Sequence, residues 1–480
     1  MSCFDSRLSL IVNDKINNLV SHSDSVDCLD KCTKINLSPN IAAFLKKQDL
    51  QRNVQQIKCD QSLLENVTSN YVIVKKIISN LSWQNKLMCK NVCSMWRSAV
   101  NTLQKEQLSP SDFTINLRLC YIRNGVKVNK SENFHTEPLA VFVFANTPGF
   151  TVTRKCEMLV PCPCEPPCSR KHQHLVLHQV VSPKQCIITV KACYLSYMPL
   201  PKSITYRHTV NRQKIGRSAA IIGGIYIPMI PNVEFKVINL KSIADIKTSY
   251  YDVLDKMADT SIIKGALVFV NESFLLQSVE DIVFLNYFKE VQPNVPYALG
   301  GCIVEDTLCD NRDVELNIEG VNEGVEYVTE NLVSIGLFTV PKNLDNTQAE
   351  NGCNFDMYSL ILESSDWAKA NIQVVVNQFS RKVPHFEHSV VIKLSCIGRD
   401  QKHDFEQDCF RTAFPNTRLV GCYGNGELGL NCPPRPLPEV YPNNKRHRRD
   451  PGPQFGIMYS YSTVFVYIGW GKILTTPDLN

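Results

Sequence analysis

From residue 112 onward, short β-rich runs follow one another at close spacing, and nothing else in the chain constrains the fold as strongly. FTINLRLCYI, LAVFVFAN, CIITVKACYL, AAIIGGIYI, EFKVINL, GALVFVN, NLVSIGLFTV, NIQVVVNQF, VVIKLSCIG, RLVGCYG and STVFVYIGWG are dense in β-branched and aromatic residues. Such residues fit a pleated, half-buried surface. Between them lie the helical candidates DIKTSYYDVLDKMAD, FLLQSVEDIVFLNYFKEV and DFEQDCFRTAF. Strands interleaved with helices predict an α/β (α+β) body, read as two related mixed-sheet halves over 107–345 and 346–474. No segment recurs with a period of about 20–50 residues, which excludes solenoids and propellers.

Residues 1–62 are rich in Asn, Asp, Ser and Lys and predict a mostly disordered tail, with one short helix at NIAAFLKKQDLQ. The net charge is +5, and Lys445-Arg446-His447-Arg448-Arg449 alone carries four positive charges. A remainder this close to neutral lacks the basic face of a dedicated nucleic-acid binder. The N-terminus has no long apolar core of a signal peptide. SAAIIGGIYIPMI is too short, and too rich in Gly and Pro, to span a bilayer as a helix. The expectation is an intracellular protein in a reducing compartment, with most of its 20 cysteines free and buried.

Gly424-Asn425-Gly426-Glu427-Leu428-Gly429 spells a dinucleotide-binding loop. The chemistry behind that spelling needs a helix to open at the last glycine, so that its N-terminus faces the pyrophosphate. Here Leu430-Asn431-Cys432-Pro433-Pro434 follows, through which no helix continues. The sequence therefore predicts a strand-end turn with positive φ at several glycines, and no cofactor.

The segment 63–106 is helical in pattern. Val74, Ile77, Ile78 and Leu81 form one apolar stripe; Met88, Val92, Met95, Trp96 and Val100 form a second. Ser82 is placed to cap the turn between them. So small a unit buries little apolar area alone, which predicts that its stripes pack against a partner or against the β body.

The order of residues here resembles an F-box: an Ile77-Ile78-x-x-Leu81 helix, a turn, Leu87, then Val92-Cys93-x-x-Trp96-Arg97, with Tyr71-Val72 where many F-boxes carry Leu-Pro. Downstream, LSCIGRD, CFRTAFPNTRLVGCYGNGELG and YSYSTVFVYIG resemble the C-terminal half of a FIST domain, and GALVFVNES and NVPYALGGCIVED resemble its N-terminal half. An F-box followed by FIST halves is the arrangement of the F-box only protein 22 family. The resemblance implies a non-catalytic substrate receptor of a Skp-cullin-F-box ubiquitin ligase. Val74, Ile77, Ile78, Leu81, Leu87, Met88, Val92, Trp96 and Arg97 would bind a Skp-type adaptor, and through it the cullin and RING subunits. The FIST body would hold the protein to be ubiquitinated and degraded. It also implies the alternative of a small-ligand sensor without a ligase role.

Other residues carry chemistry in their type and density. Cys156, Cys162, Cys164, Cys168, His172 and His174 make a soft-ligand cluster able to hold zinc, though their spacing matches no standard finger. The competing reading is a polar loop with incidental cysteines. Cys396 beside Arg399 invites a thiolate reading, against that of an inert buried thiol. The segment 432–453 is rich in proline and predicts an irregular surface loop. Its KRHRR fits a nuclear import signal or a solvated charge run, so the expected compartment is the cytoplasm, with nuclear entry open. Cys396, Gly398 and Arg399 are expected to meet Tyr423, Gly424, Asn425, Gly426 and Glu427 as one rim, with Arg399 a charged fork and Glu427 a polar contact.

Overall fold

The computed structural model describes residues 61–116, 128–132, 134–146, 153–155, 169–171, 186–192, 194–198, 221–275, 279–308, 331–342, 354–366, 368–435 and 456–476. The expected N-terminal tail before residue 61, the Cys/His cluster and the KRHRR run lie outside these residues. The described chain divides into two compact units, one helical and one a β body. No described helix is long and apolar enough to cross a membrane.

The helical unit is built from α1 (Gln61–Ser69), α2 (Tyr71–Ser79), α3 (Trp83–Cys89) and α4 (Ser94–Glu106). Asn70 caps α2, its Oδ1 accepting the backbone N–H groups of Val72 and Ile73 at 3.0 and 3.2 Å. That satisfies two of the orphan donors of a helix start. The two apolar stripes meet each other. Val74, Ile78, Cys89, Trp96, Ala99, Val100 and Leu103 form one buried core, with Leu81 and Val92 packed against it.

The β body contains three mixed sheets of one repeating topology. The first repeat supplies β1 (Ser111–Asn116), β3 (Pro138–Asn146), β6 (Ile187–Ala192) and β8 (Ile221–Pro228). The second supplies β9 (Glu234–Leu240), β10 (Ser261–Asn271), β11 (Ala298–Val304) and β13 (Val333–Pro341). The third supplies β14 (Asn354–Leu362), β15 (His385–Cys396), β16 (Arg418–Gly424) and β19 (Thr463–Thr475). In each, the fourth strand lies between the first and the second, antiparallel to both. The second and third strands run parallel, which demands a long crossover. Short strands β2 (Val128–Lys130) and β18 (Met458–Tyr459) extend sheet edges, and β4 (Thr153–Lys155) pairs with β5 (Ser169–Lys171).

No sheet is complete within its own repeat. Just past its third strand, each repeat sends a short strand to a neighbour. Repeat one sends β7 (Tyr194–Met198) to pair with β16 of repeat three. Repeat three sends β17 (Glu427–Leu430) to β11 of repeat two. Repeat two sends β12 (Asp306–Leu308) to β6 of repeat one. The exchange closes into a cycle. The expectation of two halves is corrected to three repeats, two of which lie within 107–345.

The inner faces of all three sheets share one core. Phe144, Phe269 and Leu394 occupy equivalent register positions opposite Val190, Cys302 and Cys422, and all six belong to it. The outer face of the second sheet packs under α5 (Tyr251–Thr260) and the helical turns Glu272–Leu275, Val279–Asn286 and Tyr287–Val291. The outer face of the third packs under α6 (Lys369–Lys382) and α7 (His403–Ala413). NIQVVVNQF, expected as a strand, lies in α6. Ile372, Val375, Val376 and Phe379 are its buried residues, at i, i+3, i+4 and i+7. That spacing outweighs the β preference of three valines.

The parallel pair β15–β16 requires glycine at 421. A Cβ there would lie 1.8 Å from the Lys393 carbonyl oxygen, whereas one at Gly223 would meet nothing nearer than 3.8 Å. Gly421→Ala is expected to destabilise the body by at least about 3 kcal/mol. Gly223→Ala should be neutral or slightly stabilising, since alanine costs less backbone entropy. Thermal unfolding of the two variants checks this contrast.

Candidate functional site

The carboxyl ends of parallel strands are the usual binding edge of an α/β sheet. In the third repeat that edge brings together two stretches singled out in the sequence. Cys396 and Gly424 are register partners, so the Cys396–Arg399 turn and the glycine-rich run lie side by side.

The glycine-rich run is two strands joined by Asn425-Gly426. Gly424 ends β16, and Glu427 opens β17 in the next sheet. The junction is stitched to β11: Asn425 N–H donates to Ile303 O at 3.0 Å, and Ile303 N–H donates to Gly426 O at 2.9 Å. A Cβ on Gly424 would sit 2.4 Å from Ile303 O. Only Gly426, of the three glycines in the spelling, has positive φ, at 149°. The expected turn with several positive-φ glycines is thus corrected. Close passage of one strand across another calls for these residues, and the chain continues as a strand where a dinucleotide site needs a helix.

Arg399 and Glu427 are corrected as well. Both side chains have 0% exposure, so neither forms an outward rim contact. Arg399 Nε donates to Glu406 Oε1 at 2.6 Å, and its Nη1 donates to the carbonyls of Glu363 and Tyr461 at 2.9 and 2.8 Å. Glu406 on α7 accepts the Thr463 hydroxyl at 2.7 Å, and Thr463 meets Ser395 at 2.6 Å. This clamp ties together the exit of β14, the entry to β19 and α7. Breaking a buried pair of this kind leaves an uncompensated charge and costs several kcal/mol, on the order of 3–5.

Glu427 Oε2 accepts the N–H and the hydroxyl of Ser462, at 3.3 and 2.7 Å. Burial pushes its carboxyl well above the ordinary glutamate range; the Ser462 hydrogen bonds and Arg399 oppose this without reversing it. Lys393, fully buried in β15, is lowered to about 8 by desolvation, with Glu406 and Asp404 opposing. Its Nζ lies 5.6 Å from the centre of the Tyr423 ring. The backbone amides of Gly398 and Tyr461 hydrogen-bond to the Cys396 sulfur. Burial and Glu427 outweigh them and Arg399, so Cys396 is raised and stays a thiol near neutrality.

The surface of this edge is formed by other groups. Gly398 and Asn425 are exposed, and Tyr423 is half-buried with its ring edge-on to Tyr194. Asn425 Nδ2 donates to Glu272. Tyr461 is 58% exposed, with φ of 53°, and its ring lies against Gly398. A non-glycine residue in that conformation is held by its surroundings, here through the bonds of Arg399 to its carbonyl and of Glu427 to the next residue. Lys393, Glu406, Tyr461 and Ser462 were not found from sequence. The hydroxyl-rich YSYST before the last strand was the available signal for the last two.

Among the adaptor candidates, Val74, Ile78 and Trp96 are buried inside the helical unit, which corrects their expected role as outward contacts. Ile77, Leu81 and Val92 are partly buried; Leu87, Met88 and Arg97 are exposed. Tyr71, Val72 and Ile73 add further exposed apolar surface at the start of α2. The eight described cysteines are free thiols. No group of three or more metal-ligating side chains occurs among the described residues. No known family model matches this chain, and no curated protein matches it.

The raised pKa of Glu427 has a measurable consequence. Its proton is retained on folding but lost from the unfolded chain above the ordinary glutamate value. Stability from this group is therefore complete at low pH and declines as pH rises toward the folded-state value. Relative to Glu427→Gln, the wild type should lose about 1.4 kcal/mol per pH unit over that window. Urea unfolding of both proteins across the acidic-to-neutral range measures the difference.

Proposed function

We propose that this chain is a non-catalytic substrate-recognition subunit of a Skp-cullin-F-box ubiquitin ligase. One observation carries the reading. The helical unit completes its own core from Val74, Ile78, Trp96, Ala99, Val100 and Leu103, yet leaves Tyr71, Val72, Ile73, Leu87 and Met88 exposed on α2 and α3. A small unit that has satisfied its core and still displays large apolar side chains is suited to burying them against a partner. In this proposal the Skp-type adaptor covers them and links the chain to the cullin and RING subunits. The β body recruits the protein to be ubiquitinated, and the ligase acts by holding target lysines near a charged ubiquitin carrier. The chain works in the cytoplasm, and in the nucleus if KRHRR is read by import factors. The resemblance in the order of residues from Ile77 to Arg97 supports the same conclusion.

Two sets of variants separate surface from core. Val72→Asp with Met88→Asp should abolish co-purification with a Skp-type adaptor while the melting temperature stays unchanged. Trp96→Ala should instead destabilise the helical unit by about 3–5 kcal/mol, because the ring fills that unit's core. Adaptor capture undiminished in the double variant would refute the reading.

A further inference from the structure

In each repeat the first strand is the outermost of the four on one side of its sheet, so the three outer edges can be compared. In repeat one, β2 covers β1 along Phe113, Thr114 and Ile115. In repeat three, Ser359 of β14 exchanges backbone hydrogen bonds with Cys432, both at 2.9 Å, and Ile361 N–H donates to Asn431 Oδ1 at 2.8 Å. In repeat two, no strand among the described residues pairs with the outer side of β9. An uncovered edge of this kind is a template for another strand.

The neighbours of β9 fix which of its backbone groups point outward. Asn271 N–H donates to Leu332 O at 2.8 Å, so the backbone groups of Leu332 point to β10 and those of Val333 to β9. Leu240, the register partner of Val333, therefore points to β13, and by alternation so do Ile238, Lys236 and Glu234. Phe235 and Val237 turn their N–H and C=O groups to the open side. Their side chains lie against the shared core, while Glu234 and Lys236 are exposed on the opposite face of the strand.

We propose that β9 is a homodimerisation edge, where two copies of this chain pair antiparallel about Phe235 and join their second sheets into one. The charges select that register. Centred on Glu234 or on Lys236, the pairing would set a charge against its own copy. Centred on Phe235, it sets Glu234 opposite Lys236 of the partner subunit, twice by symmetry. The outward N–H and C=O of Phe235 then bond reciprocally with those of the second copy. Lysine on an edge strand commonly guards against such pairing; here the glutamate two residues before it supplies the complementary charge. A single strand pair buries little surface, so the dimer is weak and salt-sensitive. The proposal does not depend on the adaptor reading.

Sedimentation velocity of the full-length protein at low ionic strength tests it. Wild type should show a monomer–dimer equilibrium in the micromolar range that recedes as salt is added. Lys236→Glu and Glu234→Lys each set like charges in both pairs, so each variant alone should sediment as a monomer. Mixed in equal amounts, the two restore Glu opposite Lys at both places and should form a heterodimer. The two substitutions combined in one chain also keep both pairs, and that protein should dimerise as wild type does, which separates loss of pairing from loss of fold. Wild type that stays monomeric up to about 100 μM overturns the proposal. So does a dimer that persists in either single variant, or a mixture or combined variant that remains monomeric.

Discussion

None of the three sheets closes its third strand without help from another repeat. β17 must cross from β16 to β11, β12 from β11 to β6, and β7 from β6 to β16. The backbone groups of each third strand are thus satisfied on one side by residues distant in sequence. This cyclic exchange couples the repeats: separating one strips a strand from its neighbour and leaves an exposed sheet edge. At the crossing from β16 to β17, Gly424 passes Ile303 at a distance that leaves no room for a side chain.

The exchange carries the polar chemistry with it. In the third repeat the crossing residue is Glu427, and the loop beside it is fixed by Arg399 through Glu406, Glu363 and Tyr461. Exposed Tyr461 and Gly398 rest on this buried clamp, so the surface they form is held in one geometry at little cost in ordering. This edge has Arg399, Glu406 and Glu427 inside and Tyr461 and Gly398 outside. The helical unit divides in the same way, with Trp96 and Ile78 buried in its core and Val72, Leu87 and Met88 exposed.

The sequence by itself determined what depends on near neighbours. β-branched density placed most of the strands, and the apolar spacing of 74–103 placed the helices. The Pro-rich exit from Gly429 excluded a dinucleotide-binding helix. The adjacency of CIGRD and GCYGNGELG followed from reading both as ends of neighbouring strands. In α6 the i, i+3, i+4, i+7 spacing was legible, yet a cluster of valines suggested a strand. Only the tertiary structure decided what depends on distant pairing. A run such as CIITVKACYL looks continuous but divides between two sheets, β6 in one and β7 in another, because hydrogen-bond partners are chosen by long-range register. The number of repeats depends on that strand order and is invisible to local pattern. So is the burial of Arg399 and Glu427. A charged residue in a glycine-rich stretch reads as solvent-facing until the fold supplies Glu406 and Ser462 from elsewhere in the chain, and those partners make its burial affordable.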